Sequence, residues 1–488
     1  MKRHILSKST FIRGIQCEKS LYLHKKRPFL RDKLSAAQLA KFRRGTDMGV
    51  LARELFPGGI DMTPKSPSQY QKKAMETWQA IADPQINVIY EAVFQYDDVL
   101  VMLDILVRDG ACWQAYEVKS SRAISKTYLT DAALQYYVIH GSGLPLCDFS
   151  LIYVNSRYIL EDKLDLQKLF LTESVLQQCR DRQDEMQAAA KRLKAVIQLN
   201  SSPAIDPGLH CYKPYPCDFI GHCWKNMPKD HIFRLTSFEP EKIESLRKQN
   251  ILSASAVNPD LAENQAQQNQ LQALQTNHLT FEQHVLKSIL DELKQKKTAW
   301  VKAVIHHPAL PEVRHTYPYQ ALPLALTYLN ENPGEQLQTQ FCSSQPAAFV
   351  TSFAEKLINM CETNTILVTD DQAGIIDFIN NSEKLLEPEI HHKLSALSEN
   401  IVGLKQIFEA SYAFHPATNN DFDLAAWHKA LLNDEVNLKE EVWLIKDLLS
   451  LAEKPAQKYS LTAHLQTYIK TIKRLFEHLR QITGENKF

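Results

Sequence analysis

Apolar residues recur along this chain with two periods, and the changes of period mark its elements. "INVIYEAVFQY", "VLVMLDILVRDG" and "CWQAYEVKSS" are short and rich in β-branched and aromatic residues. Asp-Asp and Asp-Gly turns separate them, which predicts a three-stranded meander over about 86–121. Helical spacing precedes it. "LSKSTFIRGIQCEKSLYLHKKRP" reads as one helix, with Ser7 or Ser9 as cap and Pro28 beyond its end. A second helix is expected over 36–55, closed by "FPGG", and a third over "YQKKAMETWQAIAD". After the meander, "DAALQYYVIHGSG" predicts a helix ended by Gly141, "DFSLIYVNSRY" a strand, and 165–199 a long polar helix. A loop rich in Pro, Gly, His and Cys follows. "FEPEKIESLRKQNILSASAV" suggests a small helical hairpin, and the Gln/Asn-rich "ENQAQQNQLQALQTNH" a linker helix or flexible connector. Alternating apolar residues and helices resume from about Trp300 to the end, and no internal repeat is visible. The order helix, meander, helix, strand predicts an α/β core. Neither G-x-G-x-x-G nor a Walker loop is present, so a phosphate-cradling doubly wound fold is not indicated.

A chain of 488 residues is long for one domain, and two to four are expected at roughly 100–200 residues each. Net charge is zero, so the molecule is not basic as a whole. The segment from Lys2 to Arg44 is basic nonetheless. It carries Lys2, Arg3, Lys8, Arg13, Lys19, Lys25, Lys26, Arg27, Arg31, Lys33, Lys41, Arg43 and Arg44 against Glu18 and Asp32. Such a block is either a solvated helix face or the footprint of a localised anionic partner. No apolar run is long enough to span a bilayer, and the N-terminus lacks the apolar core and cleavage site of a signal peptide, so a cytoplasmic protein without membrane contact is expected. Nine cysteines in such a chain argue against a disulfide framework.

Candidate chemistry concentrates in the meander. Asp104 interrupts the apolar strand "VMLDILV", where a charge is costly unless paired or metal-bound. Glu117 lies on the next strand, and Lys119, two residues on, shares its face. Two carboxylates are hard oxygen ligands for Mg²⁺, which polarises phosphate and activates water, and a lysine beside them can stabilise developing charge. Glu-x-Lys alone arises by chance roughly once or twice in such a chain, most often as a solvent-facing charge row. Gln135 on the following helix is placed to reach the same edge, or is an ordinary surface residue.

Cys211, Cys217 and Cys223 form C-x₅-C-x₅-C in the Pro-rich loop. Thiolates so grouped select zinc or an iron–sulfur centre. Cys17 can supply a fourth sulfur, and His210 or His222 can complete a zinc site, so spacing leaves both metals open. Cys112, Cys147 and Cys179 fall in strand or helix patterns and are expected to be ordinary.

The run "MLDILV…YEVKSS…DAALQYY" resembles the PD-(D/E)xK nuclease core of the RecB-like branch, which includes exonucleases with an iron–sulfur cluster. The resemblance implies a restriction-endonuclease-like core with a helical clamp over 1–235. It implies Mg²⁺ or Mn²⁺ on Asp104 and Glu117, with Lys119 catalytic and Gln135 auxiliary. The family's upstream helical histidine is missing, because "GTDMGVLA" carries Gly49 there, and Glu91 of "IYEAVF" is the candidate replacement. One cysteine before the core and three after it match the family's [4Fe–4S] layout, which implies Cys17, Cys211, Cys217 and Cys223 as its ligands, stapling the domain's ends around DNA.

The whole chain resembles a bacterial family that joins such a nuclease to a DnaQ-like (DEDD) exonuclease domain. That implies a helical segment and linker over 236–290 and a second, RNase H-like α/β domain over 291–488. The expected acids are missing there. The family's Asp-Phe-Glu-Thr falls on Lys302-Ala303-Val304-Ile305, its Asn and Glu on Asp370 and Gly374, and its later aspartates on Gly403 and Ile472. The resemblance therefore implies a metal-dependent DNA nuclease acting on single-stranded ends. Its second domain would be degenerate, and available for a protein partner. The missing histidine and the lost acids motivate the alternative of a weak or inactive nucleic-acid-binding scaffold, and a zinc-stapled structural protein is a third reading.

Overall fold

The computed structural model describes residues 5–330, 336–342, 346–361, 364–418 and 422–484, so Lys2 and Arg3 of the basic block lie outside the described residues. The protein is mixed α/β, with two mixed sheets in two compact units. The first unit is Met1–Tyr158 with Asp162–Asn226; the second is Met227–Phe488 with Ile159–Glu161. The division thus falls at Asn226, where the sequence suggested 235, and the 236–290 segment belongs to the second unit.

The first sheet contains β1 (Leu6–Ser7), β2 (Ile60–Asp61), β3 (Val88–Tyr96), β4 (Val99–Asp109), β5 (Cys112–Lys119), β6 (Leu146–Val154) and β7 (Phe170–Ser174). Its path is β2-β3-β4-β5-β6-β7, with β1 joined to β4. The meander appears as expected. β4 pairs with β3 along one edge, from Val99 to Val107. Its other edge is divided. β1 takes Val99 and Leu100, and β5 takes only Ile105 to Asp109. Residues 101–104 lie in the gap. β5 continues beyond it, with Glu117, Val118 and Lys119 pairing in parallel with β6 instead.

The expected N-terminal helix is two. α1 (Lys8–Gln16) begins with a capping box of Ser7 and Thr10. Cys17 then turns extended, with φ −161° and ψ 115°, before α2 (Glu18–Lys26). α3 (Ala36–Ala52), capped by Ser35, and α4 (Tyr70–Ala82) fall where the patterns put them, and α5 (Lys126–Gly141), capped by Ser125, starts ahead of the expected Asp131. The long helix expected over 165–199 is instead α6 (Leu166–Leu169), β7, α7 (Leu176–Asp181) and α8 (Gln183–Gln198). β7 forms because the outer edge of β6 needs backbone partners, which "FLTES" supplies from Val154 to Ser150. α8 buries Met186, Ala189, Ala190, Leu193, Val196 and Ile197 on one face, against a core that includes Phe11, Leu21, Phe94, Leu134 and Phe149.

Two cysteine expectations are corrected. Cys112 and Cys147, taken as ordinary, form a disulfide with Cα atoms 5.7 Å apart. The parallel pairing of Trp113 with Leu146 brings the starts of β5 and β6 together and makes that pairing feasible.

The second unit holds β8 (Lys297–His306), β9 (Leu322–Asn330), β10 (Gln338–Phe341), β11 (Thr365–Thr369) and β12 (Ile401–Gly403), in the order β10-β9-β8-β11-β12. β8, β11 and β12 are parallel, and β9 is antiparallel to β8 and β10. Both faces are covered. Along β8, Trp300 and Val304 enter one apolar cluster, and Ala299, Val301, Ala303 and Ile305 enter the other. The Gln/Asn-rich stretch is no flexible connector. It folds as the helix Gln265–Thr276 and buries Gln267, Asn269 and Gln270. Their amides are satisfied by the backbone of Ser237, by Thr236 and by the carbonyl of Tyr412. The expected hairpin is one helix, Pro240–Lys248, followed by a single short turn at Ala254–Ala256. No described helix is long and apolar enough to cross a membrane.

Candidate functional site

The gap beside β4 is the centre of the site. Asp104 lies where neither β1 nor β5 reaches, and its Oδ2 accepts the backbone N–H of Val118 at 2.6 Å. One side chain thus satisfies a donor left orphaned where β5 departs. Glu91 stands directly opposite on β3, where the β3–β4 ladder is interrupted. Its φ of 52° is in the left-handed region, a strained conformation for a glutamate of the kind that clusters at functional sites. Arg53, at the end of α3, donates to Glu91 Oε1 at 3.1 Å.

Glu117 is buried and Lys119 partly so, so the charge row facing solvent is excluded. Lys119 Nζ lies 2.8 Å from Glu117 Oε1 and 2.5 Å from Asp131 Oδ2. A second lysine enters from α1: Lys8 Nζ is 2.8 Å from the same Glu117 Oε1 and 3.7 Å from Asp131. Glu117 Oε2 is buried with no hydrogen-bond partner among the described residues. Gln135 is fully buried, and neither its Oε1 nor its Nε2 has a partner. It lies one turn beyond Asp131 on α5, on the same side of the helix. Its plain reading as a surface residue is therefore excluded, and buried unpaired amide atoms are costly unless a ligand completes them.

Electrostatics follow from this crowding. Burial raises the Asp104 carboxyl, and Glu117 and Glu91 nearby push it further, well above the usual range. Glu117 is also raised by burial, but Lys119 and Lys8 outweigh this and hold it below its ordinary value. Burial alone would lower Lys119, yet Glu117 and Asp131 hold it well above its ordinary value. The carboxylates of Glu91, Asp104, Glu117 and Asp131 face the cations Lys8, Arg53 and Lys119. Arg53 also pairs with Asp61, so acids outnumber cations, and Asp104 is the carboxyl that this crowding pushes toward its protonated form. The free Glu117 oxygen and the crowded Asp104 suit a hard divalent cation, with Glu91 at the margin. Lys8, Asp131 and Arg53 were not foreseen from sequence. Asp131 carried a signal, four residues before Gln135. Lys8 carried none.

The sequence-predicted cysteines converge on a second site. Cys17, Cys211, Cys217 and Cys223 line one small pocket with His210 and Ser20. The Cys223 thiol is raised to about 11 by burial and by its three sulfur neighbours. Ser20 Oγ lies 3.4 Å from Cys217 Sγ. Ion pairs and hydrogen bonds already tie the two chain segments together. Asp218 receives Arg13 at 2.7 Å and Arg31 at 2.6 Å, and Gln16 donates to the carbonyls of His210 and Tyr215 at 2.9 and 2.7 Å. Among the described residues, only Asp109, Cys112 and Cys147 bring three ligand atoms within 4.8 Å of one another. Two of those sulfurs are joined as a disulfide and are not thiolates. No three of the four pocket sulfurs lie within 4.8 Å of one another.

In the second unit, Lys302 Nζ lies 2.8 Å from Asp370 Oδ2. Gly374 sits in the first turn of the helix Gln372–Asn380, Gly403 ends β12, and Ile472 is buried on the helix Lys458–Gly484. No protein-family model matches the chain, and no curated protein matches it.

Proposed function

We propose that the first unit is a metal-dependent DNA nuclease with a RecB-like PD-(D/E)xK core, stapled by a [4Fe–4S] cluster. The observation that carries this is the convergence of Asp104, Glu117 and Lys119 at the gap in the sheet, beside a buried Glu117 oxygen and a buried Gln135 that have no partners. Asp104 and Glu117, with Glu91, would hold Mg²⁺ or Mn²⁺. Bound there, such an ion polarises a phosphodiester and acidifies an attacking water. Lys119 orients the attack and stabilises charge developing on the phosphate, while Asp131 fixes its ammonium. Gln135 directs its amide toward the reacting groups.

Four thiols lining one pocket support the iron–sulfur reading. The cluster would be held by Cys17, Cys211, Cys217 and Cys223 and would act structurally. The five-stranded mixed sheet with both faces covered supports an RNase H-like second unit, and the absence of acids at 302–305, 374, 403 and 472 supports its loss of hydrolysis. DNA is the proposed partner of the first unit, and a protein is the proposed partner of the second.

The test uses anaerobically purified protein and end-labelled single- and double-stranded DNA. Brown colour, iron and sulfide, and Mn²⁺- or Mg²⁺-dependent degradation are expected. Asp104→Ala and Lys119→Ala should abolish cleavage and leave the colour. Activity persisting in both variants overturns the assignment. One observation favours a second reading, a non-cleaving DNA-binding protein. Gly49 replaces the metal-binding histidine although a Cβ there meets nothing within 4 Å, so no steric demand explains the glycine. DNA binding without cleavage under any divalent metal selects that reading.

A further inference from the structure

β8 runs through the middle of the second sheet, between β9 and β11. Strand alternation puts Lys302 on the same face as Trp300 and Val304, beneath the helix Lys458–Gly484. Its side chain is 2 % exposed. A buried ammonium is costly unless it is paired, and this one is surrounded by acceptors. Asp370, the residue just past β11, offers Oδ2 at 2.8 Å and is 10 % exposed. Glu441, opening the helix Glu441–Leu449, has Oε1 at 3.9 Å, past hydrogen-bond range, on a side chain that is 43 % exposed. The Tyr468 ring centre lies 4.7 Å from the ammonium. The arrangement is under-satisfied. Asp370 Oδ1 and Glu441 Oε1 are both buried without hydrogen-bond partners among the described residues. Two carboxylates thus converge on a single charge of +1, with lone pairs to spare. Such an oxygen set suits a divalent ion better than an ammonium.

We infer that the Lys302 ammonium is a built-in stand-in for a divalent cation: it excludes metal from the second unit, and its removal leaves Asp370 and Glu441 as a divalent-ion site. This deepens the reading that the second unit has lost hydrolysis, and gives that loss a physical cause. The unit thus keeps the Asp370 carboxylate paired without metal.

The test counts Mn²⁺ bound to the full-length protein by electron paramagnetic resonance. Lys302→Met preserves length and burial while removing the charge. It should bind one Mn²⁺ more than the unsubstituted protein, and its thermal midpoint should rise with Mn²⁺. The extra equivalent should vanish in the Lys302→Met, Asp370→Asn double variant. If Lys302→Met fails to fold by circular dichroism, Lys302→Gln is read in its place. A folded variant with no extra Mn²⁺ overturns the inference. So does an unsubstituted protein whose Mn²⁺ count falls on Asp370→Asn. Failure of the nuclease reading would appear separately, as no Mn²⁺ in the unsubstituted protein, because the inference rests on the increment.

Discussion

At the scale of single residues, Lys8 changes the account of the site most. It shares Glu117 Oε1 with Lys119, so it would compete for a carboxylate of the proposed metal site, and 30 % of its side chain is exposed. Lys8→Met should therefore lower the Mn²⁺ concentration at half-maximal rate. It should also reduce the maximal cleavage rate, by roughly 100-fold if Lys8 meets the phosphate as one charge-stabilising donor. A Mn²⁺ titration of cleavage separates the two effects, and an unchanged maximal rate would make Lys8 only a metal competitor. The trio of Asp104, Glu117 and Lys119 was legible because strand period fixes which side chains share a face. Lys8 was not, because only the docking of α1 brings it there from 109 positions away. A second residue-scale prediction concerns His231. Burial and then Arg234 push it down to about 4, whereas in the unfolded chain it titrates near 6.5. As pH falls, the unfolded state takes the proton first. His231 thus contributes stability that is complete above about 6.5 and lost as pH falls toward 4. His231→Gln should flatten urea-unfolding stability across that window, and an unchanged slope would contradict the shift.

At the scale of elements, the errors of sequence reading share one cause: partners distant in sequence. The segment 165–199 is polar and helix-favouring, yet its "FLTES" becomes a strand because β6 has an open edge. The stretch 265–276 reads as a linker by composition, yet it is a packed helix because its amides find backbone groups. The single helix expected over the N-terminus breaks at Cys17, whose extended backbone leaves its thiol on the cysteine pocket rather than along the α1 axis. That break makes Cys17 a joint as well as a proposed ligand. The meander, by contrast, was visible because its strands pair with sequence neighbours through tight turns.

At the scale of the molecule, the chain contains two compact units, each with its own sheet and its own apolar clusters. Units with separate cores are expected to unfold in separate transitions, and each proposed site then has a unit to report on. A cluster held by Cys17, Cys211, Cys217 and Cys223 joins the start of the first unit to its end, so its binding free energy is folding free energy of that unit. Cys17→Ser should therefore remove the iron and lower only one calorimetric transition. Lys302→Met, which strands Asp370 in the second unit, should lower only the other, because breaking a buried pair leaves an uncompensated charge. The two variants assign the transitions without any isolated fragment. Both variants shifting the same transition would contradict this division of the chain. Iron retained in Cys17→Ser would remove that residue from the ligand set, leaving three thiols and His210 on the pocket wall.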